Sequence, residues 1–237
     1  MIKTILFDLD GTLLPMDMDV FVSSYFKLLA KKVAPLGYEP EKLVKSIWAG
    51  TAAMVANDGS MTNERAFWKK FCAIYGEEAI NDYPVFEEFY RIDFQQAQKF
   101  CGFNPKSDEI VKWLKDCGYQ VLLATNPLFP AVATMSRIRW AGLNAEDFGY
   151  ISTYENCCHC KPNPDYYRDI INECGLDPAE CLMVGNDVNE DMIAASAVGM
   201  SVFLITDCII NKDNANISVY PHGSFDDLRE YIAALEK

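Results

Sequence analysis

The stretch Ile5-Leu6-Phe7-Asp8-Leu9-Asp10-Gly11-Thr12-Leu13-Leu14 runs an apolar segment into two carboxylates, a glycine and a threonine. Residues 2–7 read as a buried strand, because the run is short, rich in β-branched and aromatic residues, and closed by a turn signal. Asp8 and Asp10 stand two apart. In extended chain, alternate side chains project to the same side, so both carboxylates can converge on one point beyond the strand end. Gly11 allows the sharp change of direction that follows. In an open α/β sheet the carboxyl ends of the strands are where ligands bind. Two converging carboxylates can divide labour between a nucleophile and a general acid and base. They can also hold a hard divalent cation such as Mg2+.

Downstream of this stretch the texture changes twice. Residues 19–34, 41–57, 62–76 and 83–100 place apolar residues at helical spacing, with no convincing strand among them. Pro35-Leu36-Gly37 and Asn57-Asp58-Gly59 break the pattern, and Thr62 supplies a cap for the third helix. The aromatics of this region (Tyr25, Phe26, Trp48, Phe67, Trp68, Phe89 and Tyr90) are able to line a pocket, but their expected role is to pack the helices. From residue 104 onward, helices alternate with strands. Helices are expected at 107–117, 130–141, 164–174, 188–198 and 225–235. Strands are expected at 119–124, 148–153, 181–184 and 201–205. Such alternation predicts an α/β fold, a doubly wound parallel sheet, interrupted after its first strand by an all-helical insertion. The expected division is an α/β core of residues 1–15 and 101–237, with residues 16–100 as the helical unit.

Three further strand ends or pre-helix loops carry chemistry. Leu122-Leu123-Ala124-Thr125-Asn126-Pro127 ends an apolar run in a hydroxyl and an amide, both able to donate to a phosphate oxygen. Lys161-Pro162-Asn163-Pro164 places a lysine before a helix, and the following proline keeps it out of the α region. Met183-Val184-Gly185-Asn186-Asp187 ends a strand and opens a helix, with Asp187 and Asp191 one turn apart. Helix capping by Asp187 or Asn186 is the plainer reading of that last segment.

Together these segments resemble the haloacid dehalogenase (HAD) superfamily, whose first motif is D-x-D-G-T and whose remaining motifs occur here in order. The insertion resembles the superfamily's C1-type helical cap, as in phosphoglycolate phosphatase-like and β-phosphoglucomutase-like enzymes. The resemblance implies a Mg2+-dependent phosphomonoester hydrolase acting on a small phosphorylated metabolite. Asp8 would be the nucleophile that forms an aspartyl-phosphate, and Asp10 the general acid and base. Thr125, Asn126 and Lys161 would bind phosphate. Asp8, Asp10 (through its main-chain carbonyl) and Asp187 would hold Mg2+, with Asp191 and Asn186 supporting the metal shell. The family's usual acid directly after the glycine is replaced here by Asn186, so either Asp187 takes the primary metal position, which is the favoured reading, or Asn186 contributes a carbonyl oxygen and Asp187 is auxiliary. A bound phosphate with Asp8, Asp187 and Asp191 would set many negative charges against Lys161 alone, which is why a cation is expected. Dehalogenases of the family lack an acid at the position of Asp10, which disfavours dehalogenation.

Composition narrows the partners. The net charge of −13 repels polyanions, so nucleic acid is disfavoured. No run approaches the ~18 apolar residues of a membrane span. No signal peptide is read at the start, and nine cysteines without one fit reduced thiols in a cytoplasm. Oligomeric state cannot be read from the sequence. Three rival readings remain: a phosphosugar mutase of the same superfamily, a non-catalytic protein that keeps the fold, and a thiol-metal protein built on Cys157-Cys158-His159-Cys160. The last needs four ligands for a closed zinc site, and no second pair is suitably spaced.

Overall fold

The computed structural model describes residues 1–235. Five strands form one sheet: β1 (Thr4–Phe7), β2 (Gln120–Leu123), β3 (Cys181–Gly185), β4 (Ser201–Ile205) and β5 (His222–Gly223). Their spatial order is β2-β1-β3-β4-β5, and every neighbouring pair is parallel. β1 is fully buried, which its continuous apolar sequence requires. Its side chains alternate between two hydrophobic layers. Ile5 and Phe7 face a layer with Ile110, Leu114, Leu228 and Ile232, while Leu6 faces one with Tyr167, Ile170 and Met192. Helices therefore cover both faces, as a doubly wound sheet demands.

The register sets the position of the site. Phe7 pairs with Leu123 on one side and with Val184 on the other. Main-chain bonds carry this one step further, from Asp8 N to Val184 O at 2.9 Å and from Ala124 N to Phe7 O at 2.8 Å. The ends of β1, β2 and β3 are thus level, and Asp8, Thr125 and Asn186 emerge along one edge.

After β1 come four α-helices, α1 (Met18–Val33), α2 (Pro40–Val55), α3 (Asn63–Tyr75) and α4 (Tyr83–Arg91), with 3-10 segments after α1, α3 and α4. Asp17 caps α1 by accepting from Val20 N at 3.0 Å, and Thr62 caps α3 through Arg65 N at 3.4 Å. The chain leaves and re-enters side by side, with Met16 bridged to Cys101 and Gly102 N bonded to Pro15 O at 2.6 Å. The remaining helices are α5 (Lys106–Asp116), α6 (Ala131–Trp140), α7 (Pro164–Cys174), α8 (Ala194–Ser196) and α9 (Phe225–Leu235). No helix among the described residues is long and apolar enough to cross a membrane.

Four expectations need correction. Residues 148–153 do not form a full strand. They run beside β2 and bond to it through Gly149, Tyr150 and Ser152, but only Ile151 forms a bridge, to Leu123. Residues 83–100 are not one helix, because α4 stops at Arg91 and a 3-10 segment, Asp93–Phe100, takes over. The helix expected over 188–198 opens instead with a wide π turn, Val188–Ile193. Here both Asp191 N and Met192 N reach back to Asp187 O, at 2.9 and 3.4 Å. The two-residue strand β5 is too short to leave a pattern in the sequence.

Gly185 ends β3 because nothing larger fits. A Cβ there would lie 2.1 Å from Asp191 Oδ2, and Asp191 is itself pinned by Lys161. Gly185→Ala is expected to cost about 1–3 kcal/mol by overpacking. Thermal unfolding should show the midpoint falling by roughly 2–4 °C per kcal/mol for a chain of this size. An unchanged midpoint would show that the β3 edge can yield.

Candidate active site

Asp8 is the first residue beyond β1, and it is buried. Its Oδ1 accepts from Lys161 Nζ at 3.0 Å, and its Oδ2 from Thr12 Oγ1 at 3.3 Å. Gly11, with φ +87°, turns the chain so that Thr12 folds back over the carboxylate. The same turn leaves room for Asn186, whose Nδ2 would lie 2.3 Å from a Cβ at position 11. Thr12 also donates to Asn186 Oδ1 at 3.1 Å, and Asn186 Nδ2 donates to Cys208 O at 2.6 Å. Thr12 is thereby a bridge between the ends of β1 and β3.

Lys161 is buried between two carboxylates, 3.0 Å from Asp8 and 2.6 Å from Asp191. Its peptide to Pro162 is cis. Burial alone would lower its pKa, but Asp191 and Asp8 more than offset this, and the ammonium stays charged. Asp8 lies on the other side of the balance. Burial pushes its carboxyl up to about 8, Asp191 and Asp10 add to the rise, and Lys161 offsets only part of it. Asp191 also accepts from Asp187 N at 3.0 Å, so it ties the lysine to the start of the π turn.

Asp187 caps that turn. Its Oδ1 accepts from Asn189 N at 2.8 Å and Glu190 N at 2.9 Å, and burial raises its pKa in spite of these bonds. Asn186 and Asp187 both face the cavity described below. Thr125 is buried there as well, its carbonyl held by Ser152 Oγ at 2.6 Å and Tyr166 Oη at 2.8 Å. Asn126 donates its amide to Glu190 Oε2 at 2.9 Å, which leaves its buried Oδ1 without a partner. As placed, Asn126 therefore offers the site an acceptor, with its donor turned to Glu190. The eight residues singled out from the sequence thus gather at the ends of β1, β2 and β3 and in the loop before α7.

Two residues at this edge had not been singled out. Arg137, on α6, is fully buried. Its Nη1 donates to Asp10 Oδ2, its Nη2 to Thr134 Oγ1 at 3.2 Å, and its guanidinium lies 4.5 Å from the Phe129 ring centre. Asp10 Oδ1 is buried without a partner. The second is Glu190, whose carboxyl is pushed up to about 7 by burial, with Asp191 and Asp187 adding to the rise. Arg137 lies one turn beyond Ala133, on the buried face of α6, and that register was the available signal. Glu190 carries no sequence signal that separates it from an exposed helix-start acid.

These groups open into a cavity of about 310 Å³ whose other walls come from α1–α4 together with Leu128, Phe129, Pro130 and Tyr154. Tyr25, Phe26, Trp48, Phe67, Trp68 and Tyr90 line it, so the expectation that they only pack the helices is incomplete; Phe89 alone of that set stays in the interior. The cysteine cluster gathers no set of metal ligands among the described residues. Cys157 and Cys160 are buried thiols, burial raises both pKa values (Cys157 to about 12), and Cys160 Sγ accepts from Asn63 Nδ2 at 3.2 Å. Among the described residues no three His, Cys, Asp or Glu side chains converge as a metal-binding group. A cation at the strand ends would therefore need main-chain, substrate or water oxygens as well, which is the habit of Mg2+.

The profile of haloacid dehalogenase-like hydrolases matches residues 2–199, and the chain belongs to that family. A phosphoglycolate phosphatase from Haemophilus influenzae is 29% identical over 98% of each chain. The fold is shared with a 2-haloacid dehalogenase from Pseudomonas syringae, at TM-score 0.64 and 18% identity over 99% of this chain and 100% of that one. It is shared also with the HAD-hydrolase YfnB from Bacillus subtilis, solved bound to magnesium, at TM-score 0.58 and 19% identity over 100% of this chain and 99% of that one.

Two measurements probe this geometry. Arg137→Met leaves Asp10 without its cation. Urea unfolding should show a loss of about 3 kcal/mol, the lower end for a broken buried pair because Asp10 keeps some exposure; a loss under about 1 kcal/mol would mean that the pair contributes little. The second concerns Asp8, whose folded pKa lies above its unfolded value. Its contribution to stability is present below pH ~4 and is lost as pH rises through about 8. In metal-free protein, the unfolding midpoint of Asp8→Asn minus that of wild type should grow between pH 5 and 8. A difference that stays flat with pH would contradict the assignment.

Proposed function

We propose that the chain is a Mg2+-dependent phosphomonoester hydrolase working through an aspartyl-phosphate on Asp8. The observation that carries this reading is the placement of Asp8 against Lys161, with Asp10 two residues on and a cavity beyond both. Family membership and the phosphatase relative agree with it.

The donor set fits a hard cation. Asp8, Asp187 and Asn186 offer side-chain oxygens at one cavity wall, and the buried Oδ1 atoms of Asp10 and Asn126 have no partner of their own. Asp8, the Asp10 main-chain carbonyl and Asp187 would hold Mg2+, with Asp191 and Asn186 fixing their orientation. When bound, the ion supplies positive charge to Asp8 and to the phosphoryl oxygens. YfnB, with the same fold, binds magnesium.

The chain's own residues then divide the work. With Asp10 protonated at the outset, an Asp8 oxygen attacks phosphorus, the bond from phosphorus to the alcohol oxygen breaks, and Asp10 delivers its proton to that oxygen. In the second displacement water attacks phosphorus, Asp10 takes its proton, and Asp8 leaves as a carboxylate. Arg137 holds one oxygen of Asp10, so the unpartnered Oδ1 is the one left to serve the leaving group. Lys161 neutralises charge that would otherwise build up between Asp8 and the phosphate. Thr125, at the end of β2, is positioned to bind a phosphoryl oxygen. Asp10 also separates this reading from dehalogenation, which needs no acid at the leaving group.

Phosphate release from a panel of phosphomonoesters checks the proposal. Release should require Mg2+, stop with EDTA, and fall at least 10³-fold in Asp8→Asn, the order expected on losing a nucleophile. Release that persists in Asp8→Asn would overturn it.

A further inference from the structure

The cavity has two chemically different ends. At the strand ends its wall carries Asp8, Asp10, Asp187, Glu190 and Asp191. Toward the helices aromatic rings predominate, with Met18, Val22, Ile47 and Thr51 among them. Tyr25 and Tyr90 close one side with their hydroxyls bonded to each other at 2.8 Å, which uses one of their two O–H donors. The Phe26 and Trp48 rings lie 5.6 Å apart between centres. Trp48 keeps 51% of its surface exposed, although its ring stands on the cavity wall. A half-exposed tryptophan at the mouth of an aromatic pocket has an apolar face still to cover.

Charge points the same way. The charged group that lines the helical end is Glu87, on α4, 3.5 Å from the exposed Arg91. Lys212 is the lining cation among the described residues, and it lies in the field of Asp187, at the phosphate end. A substrate whose alcohol portion carries a carboxylate or second phosphate would meet rings and a glutamate there, with no cation to receive it. Desolvating such an anion without a partner is strongly unfavourable.

We infer that the substrate is the phosphate ester of an uncharged aromatic alcohol, its ring laid against the half-exposed Trp48 beside Phe26 and its phosphate at Asp8. This rests on the phosphatase reading above and adds the chemistry of the leaving group. The volume agrees. An apolar cavity of about 150 Å³ holds a benzene ring, and this one, at about 310 Å³, has room for a ring and a phosphate.

The test compares alkyl esters, so that leaving-group basicity does not bias the result. Benzyl phosphate, cyclohexylmethyl phosphate and 2-phosphoglycolate are assayed for phosphate release with Mg2+, using wild type, Trp48→Ala and Trp48→Phe. Wild type should favour benzyl phosphate over phosphoglycolate by at least about 100-fold in kcat/KM, the order that burying a ring provides. Trp48→Ala should cut that ratio about tenfold, and Trp48→Phe should restore most of it. Equal or better turnover of phosphoglycolate, equal turnover of the cyclohexyl ester, or a ratio unmoved by Trp48→Ala would each overturn the inference. If no ester is hydrolysed, the phosphatase reading falls, and calorimetry decides the pocket separately. Tighter binding of benzylphosphonate than of phosphonoacetate would support an aromatic ligand, and equal or weaker binding would overturn it.

Discussion

The Lys161 ammonium, held between Asp8 and Asp191, is the interaction on which the site depends. Three segments distant in sequence meet there: the end of β1, the loop before α7 and the π turn after β3. A buried lysine is tolerable only with partners, and a buried aspartate likewise. Each secures the other, but the balance is unequal, because carboxylates outnumber cations at this edge. Arg137 relieves Asp10 from the opposite side. What remains is a deficit of positive charge around Asp8, and a site with that deficit favours a divalent cation.

The packing around this cluster is arranged to keep it from relaxing. Gly11 and Gly185, without a Cβ, let Asn186 and Asp191 lie close against the backbone. Thr125 is fixed through its carbonyl by Ser152 and Tyr166. The wide turn after Asp187 lets one carbonyl serve two amides and brings Asp191 back beneath Lys161. Polar groups at the strand ends are thus positioned by backbone constraints, while the opposite wall of the cavity is built from rings that pack by shape. The first wall suits chemistry common to a whole family; the second suits discrimination among substrates.

Much of this was legible in the sequence. The apolar run into Asp8-Leu9-Asp10-Gly11-Thr12 and the Gly185–Asp191 segment mark strand ends by their own local pattern, whereas the placing of Lys161 with them came from the family resemblance. Arg137 was not legible in that way, because a cation near the end of a helix reads equally well as a surface group complementing the dipole. Its role depends on α6 crossing behind Asp10, which is a tertiary fact. The aromatics between β1 and β2 were read only as packing because a ring packs a core and lines a pocket with the same residue and the same spacing. Residues 148–153 have strand composition, yet they only skirt β2 at the edge of the sheet, and composition does not report the missing partner.

The strand order carries a consequence for how the chain reaches this state. β1 sits between β2 and β3, yet Thr4 meets Gln120 across 116 positions of sequence, and its partner on β3 lies further still. The first strand made is one whose neighbours are made late. While it waits, it is an unpaired apolar edge, and the helices that follow it can form from local contacts well before the sheet can. Asp8 therefore stays solvated and ordinary through most of synthesis. It acquires its unusual chemistry only when β3 closes beside it, so that assembly of the fold and arming of the site are a single event.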